Sequence, residues 1–379
     1  MDSRFSFSLY SSIITLVSLV IVFFVNQQIV VSNNETLLTD LKINLSEVEV
    51  RLENEFASFR EDISFLYTTP PISGLTRAQE TGVDPLDGTT TALWKSRLEK
   101  IFKGFMQHNR NYFQLRIIDS KGEEFIRVER IDNLITARDA NDLQNKSNRD
   151  YFIQASALAD GQLFVSTIDL NRENGELEFP YRPTLRLARP IFGEDNRFFG
   201  IIVVNIDVSY LLDELDNLVT NKFDILLTDN DGYFIKHPEE KLQFSRDLAP
   251  SLNFSGSYSV ASESDSLIKR YQTANQIFWG LDNEITVSSR SHGSELHPYI
   301  MLSDDIYKAE LYKIRVQIFS ALGGIWAAAL LGLFLLSHTN KRLANLLKIA
   351  EEAQSAVNAA DDAILTVNHQ GHINTVNNA

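Results

Sequence analysis

The sequence predicts an α+β fold: two tandem modules with antiparallel sheets, set on a long N-terminal helix and flanked by two transmembrane helices. Three observations carry this. Two apolar runs, each close to the roughly 20 residues a bilayer requires, bracket the middle of the chain. A strand–Gly–strand pattern opens two segments of domain size between them and begins a third. After the first run, apolar residues recur at the alternating three-and-four spacing of a buried helix face.

Composition narrows the class. With 379 residues and 44% hydrophobic content, the chain is long enough for two or three domains and can bury a core. A net charge of -15 argues against a nucleic-acid partner, which needs a basic surface. The absence of cysteine removes disulfides, thiolate-held metals and thiol catalysis. An extracytoplasmic domain without disulfides relies on its core alone, which suits a bacterial periplasm. Four N-x-S/T matches, at Asn34, Asn44, Asn145 and Asn253, matter only in a glycosylating host.

Residues 1–8 are expected to be a short cytoplasmic end and residues 9–31 the first span, with ITLVSLVIVFFV at its centre. No small-x-small site follows; the next residues are Asn26, Gln27 and Gln28, which favours an uncleaved anchor over a signal peptide. The second span is placed at residues 314–337. Ser320, Gly324, Ala328 and Gly332 fall four apart on one face there, a spacing that lets two membrane helices approach closely, although Ala and Gly are also simply common in such helices. Arg4 before the first span, and His338, Lys341, Arg342 and Lys348 after the second, put both ends in the cytoplasm and the acidic middle outside.

Residues 32–68 follow as a helix about 50 Å long. Leu41, Leu45, Val48, Leu52, Phe56, Phe59, Ile63 and Leu66 form its stripe, read either as a signalling spine and dimer seam or as the core face of one packed helix. Pro70, Pro71 and Gly74 end it, residues 76–91 read as a loop, and residues 92–107 as a second helix. The repeated hairpin occurs as LRIIDSKGEEFIRV, ILLTDNDGYFIKH and AILTVNHQGHINTVN; in each, a glycine (Gly122, Gly232, Gly371) supplies the positive φ of a tight turn. The first copy opens a membrane-distal module, residues 69–212, and the second a membrane-proximal one, residues 213–312. Residues 338–356 read as a linker helix. Residues 357–379 begin a third domain, cut off at Ala379 as in a fragment of a longer protein.

Candidate binding residues concentrate in residues 148–207. A helix capped by Asn148 and closed by Gly161 leads into alternating strands at 163–168, 184–192 and 198–206, with a turn at 171–175. Arg149, Tyr151 and Phe152 enter from the helix; Phe164, Asp169, Arg186 and Asn205 come from the strands; Tyr181, between two prolines, sits in a loop able to lid a pocket. Aromatics beside guanidinium groups fit a small anion. Each has a plainer role: Arg186 and Asp169 as an inter-strand ion pair, and at least one of Tyr151, Phe152 and Phe164 as core. His292, Glu295 and His297 match no metal spacing, and Asp229, Asp231 and Glu239–Glu240 lack the calcium-loop pattern. There is no phosphate loop, nucleophile elbow or HExxH, so no catalytic residue, cofactor or metal is expected.

Two hairpin-led modules between two spans, with a long first helix, resemble the double Cache sensor family. FDILLTDNDGYFIKHP looks like its proximal module, and the segment from YFIQASALADGQ to FFGIIVVNID like its distal one; the likeness covers about residues 32–304. AADDAILTVNHQGHINTVNNA looks like the opening of a cytoplasmic PAS domain. The resemblance implies PAS-like sheets, a homodimer in the bacterial inner membrane with its sensor in the periplasm, a small-molecule ligand, and an output of the histidine kinase or cyclic-dinucleotide type. Some members hold an amino acid through an Arg, a Trp-Tyr pair and a later Asp. Here Arg149, Tyr151 and Phe152 stand at the first three places and Asn205 at the last. The carboxylate grip is kept and the anionic amine holder is lost, which favours a plain carboxylate or other anion, with an amino acid still possible.

Overall fold

The structure, a computed structural model, describes residues 3–173, 175–261, 267–283, 285–286, 291–293, 295–358 and 365–376. Both ends of the third hairpin and the His292 side chain lie outside the described part. The chain divides into two compact units: Met1–Glu35 with Lys308–Ala379, and Thr36–Tyr307.

The larger unit is built on the second half of α1 (Ser3–Tyr67). All eight stripe residues, Leu41 through Leu66, are buried in the chain's own core, packed against the helix Thr91–His108 and the inner faces of two sheets. The stripe is therefore a core face and not an open seam. Each such side chain contributes on the order of 2 kcal/mol by burial. Polar ties hold the helix in place: the Tyr112 hydroxyl donates to Asp62 at 2.7 Å, and Arg51 meets Glu214 at 2.7 Å.

A short helix that the sequence reading lacked, α2 (Pro70–Arg77), follows; proline at its first position has no amide to lose there. Next come α3 (Thr91–His108), β1 (Tyr112–Asp119), β2 (Glu124–Ile131), β3 (Leu134–Ala137), α4 (Asp150–Ser156), β4 (Leu163–Val165), β5 (Asp169–Leu170), β6 (Arg172–Glu173), β7 (Glu176–Leu177), β8 (Pro183–Phe192), β9 (Phe198–Asp207) and α5 (Ser209–Leu218). The second half holds β10 (Phe223–Asp229), β11 (Phe234–Lys236), α6 (Ser245–Leu248), α7 (Phe254–Ser257), β12 (Ser259–Ala261), β13 (Lys269–Gln272), β14 (Ile277–Asp282), β15 (Ile285–Thr286), β16 (Ser291–Gly293) and β17 (Glu295–Ser303).

The two sheets share one strand order. In the first, β4-β8-β9-β1-β2-β3 run side by side; in the second, β13-β14-β17-β10-β11. In both, the opening strand sits between its hairpin partner and the last strand. The sheets meet where β16, from the second half of the chain, pairs parallel with β4 of the first.

The hairpin turns are built alike. Asp119, Asp229 and Asn368 each accept two backbone N–H groups on Oδ1, from the residues two and four further on. Gly122, Gly232 and Gly371 take φ of 83°, 79° and 84°. An aspartate or asparagine that bonds its own turn, followed by a residue free to adopt positive φ, is the local reason for the repeat.

In the smaller unit, α8 (Asp304–Asn358) follows β17, and β18 (Leu365–Val367) pairs with β19 (Ile373–Val376) as the third hairpin. The first part of α1 and the middle of α8 are long and apolar enough to cross a membrane, with mean hydropathy of 2.3 and 2.1 over their most apolar stretches. Phe7 and Phe334 meet edge to face, while nothing among the described residues lies within 4 Å of a side chain placed at Gly324 or Gly332.

Candidate functional site

The first sheet uses its two faces differently. Leu115, Ile117, Val204 and Ile206 point to α1 and join the main core. On the other face the register sets Glu129, Gln114, Asn205 and Arg186 in one row across β2, β1, β9 and β8, with Arg127 and Arg116 in the next row. Further along, Ile118, Ile201, Val203 and Ala188 make an apolar patch, which α4 covers with Tyr151, Phe152 and Ala155, and the turn after it with Leu158. Half of this face is thus a small second core, and half is a buried polar floor.

The floor is densely bonded. Asn205, 2% exposed, accepts from Arg116 Nη2 at 2.8 Å and donates to Gln114 at 3.1 Å. Arg116, 3% exposed, donates from Nη1 to the Tyr151 hydroxyl at 2.9 Å and lies 3.4 Å from Glu124. Its Nε is buried without a partner among the described residues. Arg127 pairs with Glu129 at 2.6 Å and reaches Glu173 at 3.4 Å. Burial raises the Glu129 carboxyl, and Arg127, with help from Arg138, outweighs it and leaves the group below its usual range.

Above this floor lies a cavity of about 140 Å³ lined by Gln114, Arg116, Lys146, Arg149, Asp150, Tyr151, Asp169, Asn171, Arg172, Glu173, Arg186 and Asn205. Five cationic groups face three acidic ones. A cavity of about 150 Å³ holds a benzene-sized molecule, so this lobe takes a fragment of roughly six heavy atoms. Tyr151, Asp150, Asp169 and Arg186 also border a second hollow of about 540 Å³, which Phe164, Ser166, Thr167, Asn230 and Asp231 complete. The last two belong to the turn of the proximal hairpin.

Local geometry explains the position of Arg149. The Gly122 carbonyl accepts from Lys146 N, and the Lys146 carbonyl from Arg149 N, so the chain stays pinned to the β1–β2 turn and enters the helix only after Arg149. The N-cap is therefore Arg149, not Asn148, and the helix ends at Ser156; Gly161 takes its φ of 81° in the turn beyond. The Arg149 side chain is half-buried and makes no hydrogen bond or ion pair among the described residues. Lys146 is held by Gln144 at 2.5 Å; burial, then the charge of Arg116, lowers its ammonium to about 8.

Of the residues singled out from sequence, Arg149, Tyr151, Asp169, Arg186 and Asn205 line the first lobe, and Phe164 the second. Arg186 pairs with Asp169 at 2.5 Å and donates to Asn171 at 3.2 Å. Two residues are placed elsewhere. Phe152 points into the small core beneath α4, since its neighbour Tyr151 takes the cavity-facing side of that helix. Tyr181 is exposed and packs edge to face on the exposed Phe179. Gln114, Arg116, Lys146, Asn171 and Arg172 were missing from the sequence reading. Gln114 and Arg116 alternate within an apolar strand, as Arg127 and Glu129 do on its hairpin partner, but only the strand register shows that these polar side chains share one covered face.

The matching face of the second sheet is packed among the described residues. Leu226, Phe234, Tyr258, Tyr271, Phe278 and Met301 form a closed cluster there, with Phe254 stacked on Tyr258 and Tyr299. The His237 imidazole meets the Tyr258 hydroxyl at 3.0 Å within it, and burial lowers its pKa.

A long helix carrying two PAS-like sheets, one hollow and charged and one filled, is a tandem fold of the double Cache kind. Residues 81–262 match the family model of the bacterial histidine kinase sensor domain. Among solved structures, the chain is similar to the extracellular domain of vpHK1S-Z8, described as a histidine kinase: 21% identity, TM-score 0.52, 74% of this chain and 96% of that one covered. It is also similar to a domain of a sensory box/GGDEF family protein from Vibrio parahaemolyticus (21% identity, TM-score 0.48, 71% and 99% covered). A third is the ligand-binding domain of the Campylobacter jejuni chemoreceptor Tlp3 in complex with L-valine (16% identity, TM-score 0.46, 75% and 98% covered). A comparison with curated proteins gives no match.

Proposed function

We propose that this chain is the sensory part of a bacterial inner-membrane receptor whose distal cavity binds a small anion, in the first instance a carboxylate. The observation that carries this reading is the surplus of cationic groups around the lobe, two of which keep donors free among the described residues: the whole Arg149 guanidinium and the Nε of Arg116. Unpaired buried donors are costly, and an anion that accepts from them recovers that cost. Asn205 is already bonded on both sides within the floor, so it offers little to an ammonium group.

In this reading residues 9–31 and 314–337 cross the membrane, the two sheets lie in the periplasm, and residues 338–356 pass the signal to a cytoplasmic PAS-linked output. The receptor acts as a homodimer, and the ligand's differential affinity for two arrangements shifts their populations. A histidine kinase output is favoured by the match of residues 81–262 to the histidine kinase sensor-domain model. A cyclic-dinucleotide enzyme is the alternative.

A second reading, a structural ectodomain with no ligand, draws on the pairing of Arg186 with Asp169, which satisfies one cation internally. Thermal-shift screening of the full chain in detergent against acetate, lactate, malonate and glutamate separates the two. A rise in melting temperature that disappears in Arg149→Ala supports sensing; no rise with any carboxylate favours the structural reading.

A further inference from the structure

The four-residue helix α6 stands between the cavity rim and the proximal hairpin, and three consecutive side chains of it are committed. Ser245 Oγ accepts from the Phe234 amide of β11 at 2.9 Å. Arg246 donates to Asp229 at 2.8 Å and to Asp231 at 2.7 Å, and its guanidinium lies over the Tyr233 ring, so it grips the proximal turn from both sides. Asp247 reaches the other way. One oxygen accepts the backbone N–H of Leu170 at 2.8 Å; the other accepts from Arg172 at 2.9 Å. Leu170 lies between the cavity-lining residues Asp169 and Asn171, and Arg172 lines the cavity itself. Phe244, just before α6, is held at φ 50°, a conformation that costs a non-glycine residue free energy and persists only where its surroundings enforce it.

From this geometry we infer that α6 is the coupling element between the two modules and that Asp247 is a positioning residue for the binding cavity. Asp247 fixes the rim strand by its backbone and Arg172 by its charge. An anion entering the lobe competes with Asp247 for the Arg172 guanidinium. Filling the cavity therefore loosens the Arg172–Asp247 pair, and Arg246, one residue away, transmits that change to the turn at 229–233. The coupling rests on the cavity being the ligand site, whereas the latch itself does not.

Hydrogen exchange on the full chain in nanodiscs, read by mass spectrometry without ligand, tests the latch. Asp247→Ala is expected to raise exchange at residues 163–173 and 240–248 by about tenfold, the effect of removing a partly buried charge-assisted bond, with residues 112–118 unchanged. Asp247→Asn keeps an acceptor for the Leu170 amide and is expected to restore protection at 163–173 while leaving the Arg172 contact weak. Unchanged exchange at 163–173 in Asp247→Ala overturns the inference, as does a uniform rise across both sheets. Acetate supplies the second arm. In the wild type it is expected to raise exchange at 240–248, and in Asp247→Ala to shift the melting temperature with no further rise there. A melting shift with no change at 240–248 in the wild type contradicts the coupling and leaves the binding function standing. Absence of any melting shift counts against binding of that carboxylate, and the ligand-free arm still decides the latch.

Discussion

Arg116 Nη1 donates to the Tyr151 hydroxyl at 2.9 Å, with the guanidinium 5.1 Å from the centre of the same ring. One contact thereby locks α4 to the strand beneath it and fixes the wall of the cavity against its floor. Tyr151 borders both lobes, so this contact shapes a wall of each.

Replacing Arg116 should therefore cost stability as well as binding. In Arg116→Met the Asn205 carbonyl and the Tyr151 hydroxyl lose their donor, and Glu124 loses one of its two cations. Breaking one side of a buried charged network costs about 3 kcal/mol, which for a unit of this size lowers the melting temperature by roughly 5–10 °C. Thermal denaturation of the full chain measures this. A melting temperature equal to the wild type's would show that the floor is not the rigid base described.

Arg149→Ala should behave oppositely. The side chain pairs with nothing among the described residues and caps nothing, so stability should change by no more than about 0.5 kcal/mol. The response to carboxylates should nevertheless be lost. Parallel melting curves with and without acetate read both quantities, and a variant that is strongly destabilised speaks for a structural role.

The lowered Lys146 ammonium, at about 8, makes binding sensitive to pH in a definite direction. Below that value the group is charged in the free and bound states, and anion affinity is at its full level. Above it the free protein has given up the proton while a bound anion favours its return, so affinity falls with rising pH, by at most about tenfold per unit. In the ligand-free protein the sign is reversed: with a folded pKa below the ordinary lysine value, this group adds stability as pH rises above about 8. Dissociation constants between about pH 6.5 and about pH 9.5 should show the fall, and Lys146→Met should flatten it.

Much of the architecture was legible because it rests on local rules. The stripe from Leu41 to Leu66 marks a helix that must bury one face, and Asp-x-x-Gly at 119–122 and 229–232 dictates its turn in isolation. The site was legible only in part. Arg149 and Tyr151 stand out because they share a helix start with polar neighbours, but the run YFQLRIID reads as any central strand. That Gln114 and Arg116 are buried, and that Arg127 and Glu129 lie beside them, depends on the register between strands. Lys146 enters through a loop whose path is set by a contact with Gly122. The assignment of the helix cap to Asn148 failed for the same reason: cap preference is local, whereas the bond from Lys146 N to the Gly122 carbonyl is not.

That contact gives a further prediction. A methyl group at Gly122 would lie 2.5 Å from the Ser147 side chain and 2.6 Å from its backbone nitrogen, at a φ of 83°, whereas at Gly232 the nearest atom is 3.6 Å away. Both Gly→Ala variants bear a positive-φ cost of roughly 1–2 kcal/mol. Gly122→Ala must also displace the segment that carries Lys146 and Arg149, so it should melt lower than Gly232→Ala and bind carboxylates more weakly. Equal melting of the two variants would argue that the 146–149 segment is not held by the turn.

The central claim is that a cationic cavity in the distal module takes a small anion. Calorimetric titration of the full chain in detergent, with acetate, lactate, malonate and glutamate set against acetamide and ethylamine, tests it most directly. The account predicts saturable heat with at least one carboxylate, none with the amide or the amine, and loss of that heat in Arg149→Ala. Binding of ethylamine in place of every carboxylate, or carboxylate heat that survives in Arg149→Ala, would contradict it.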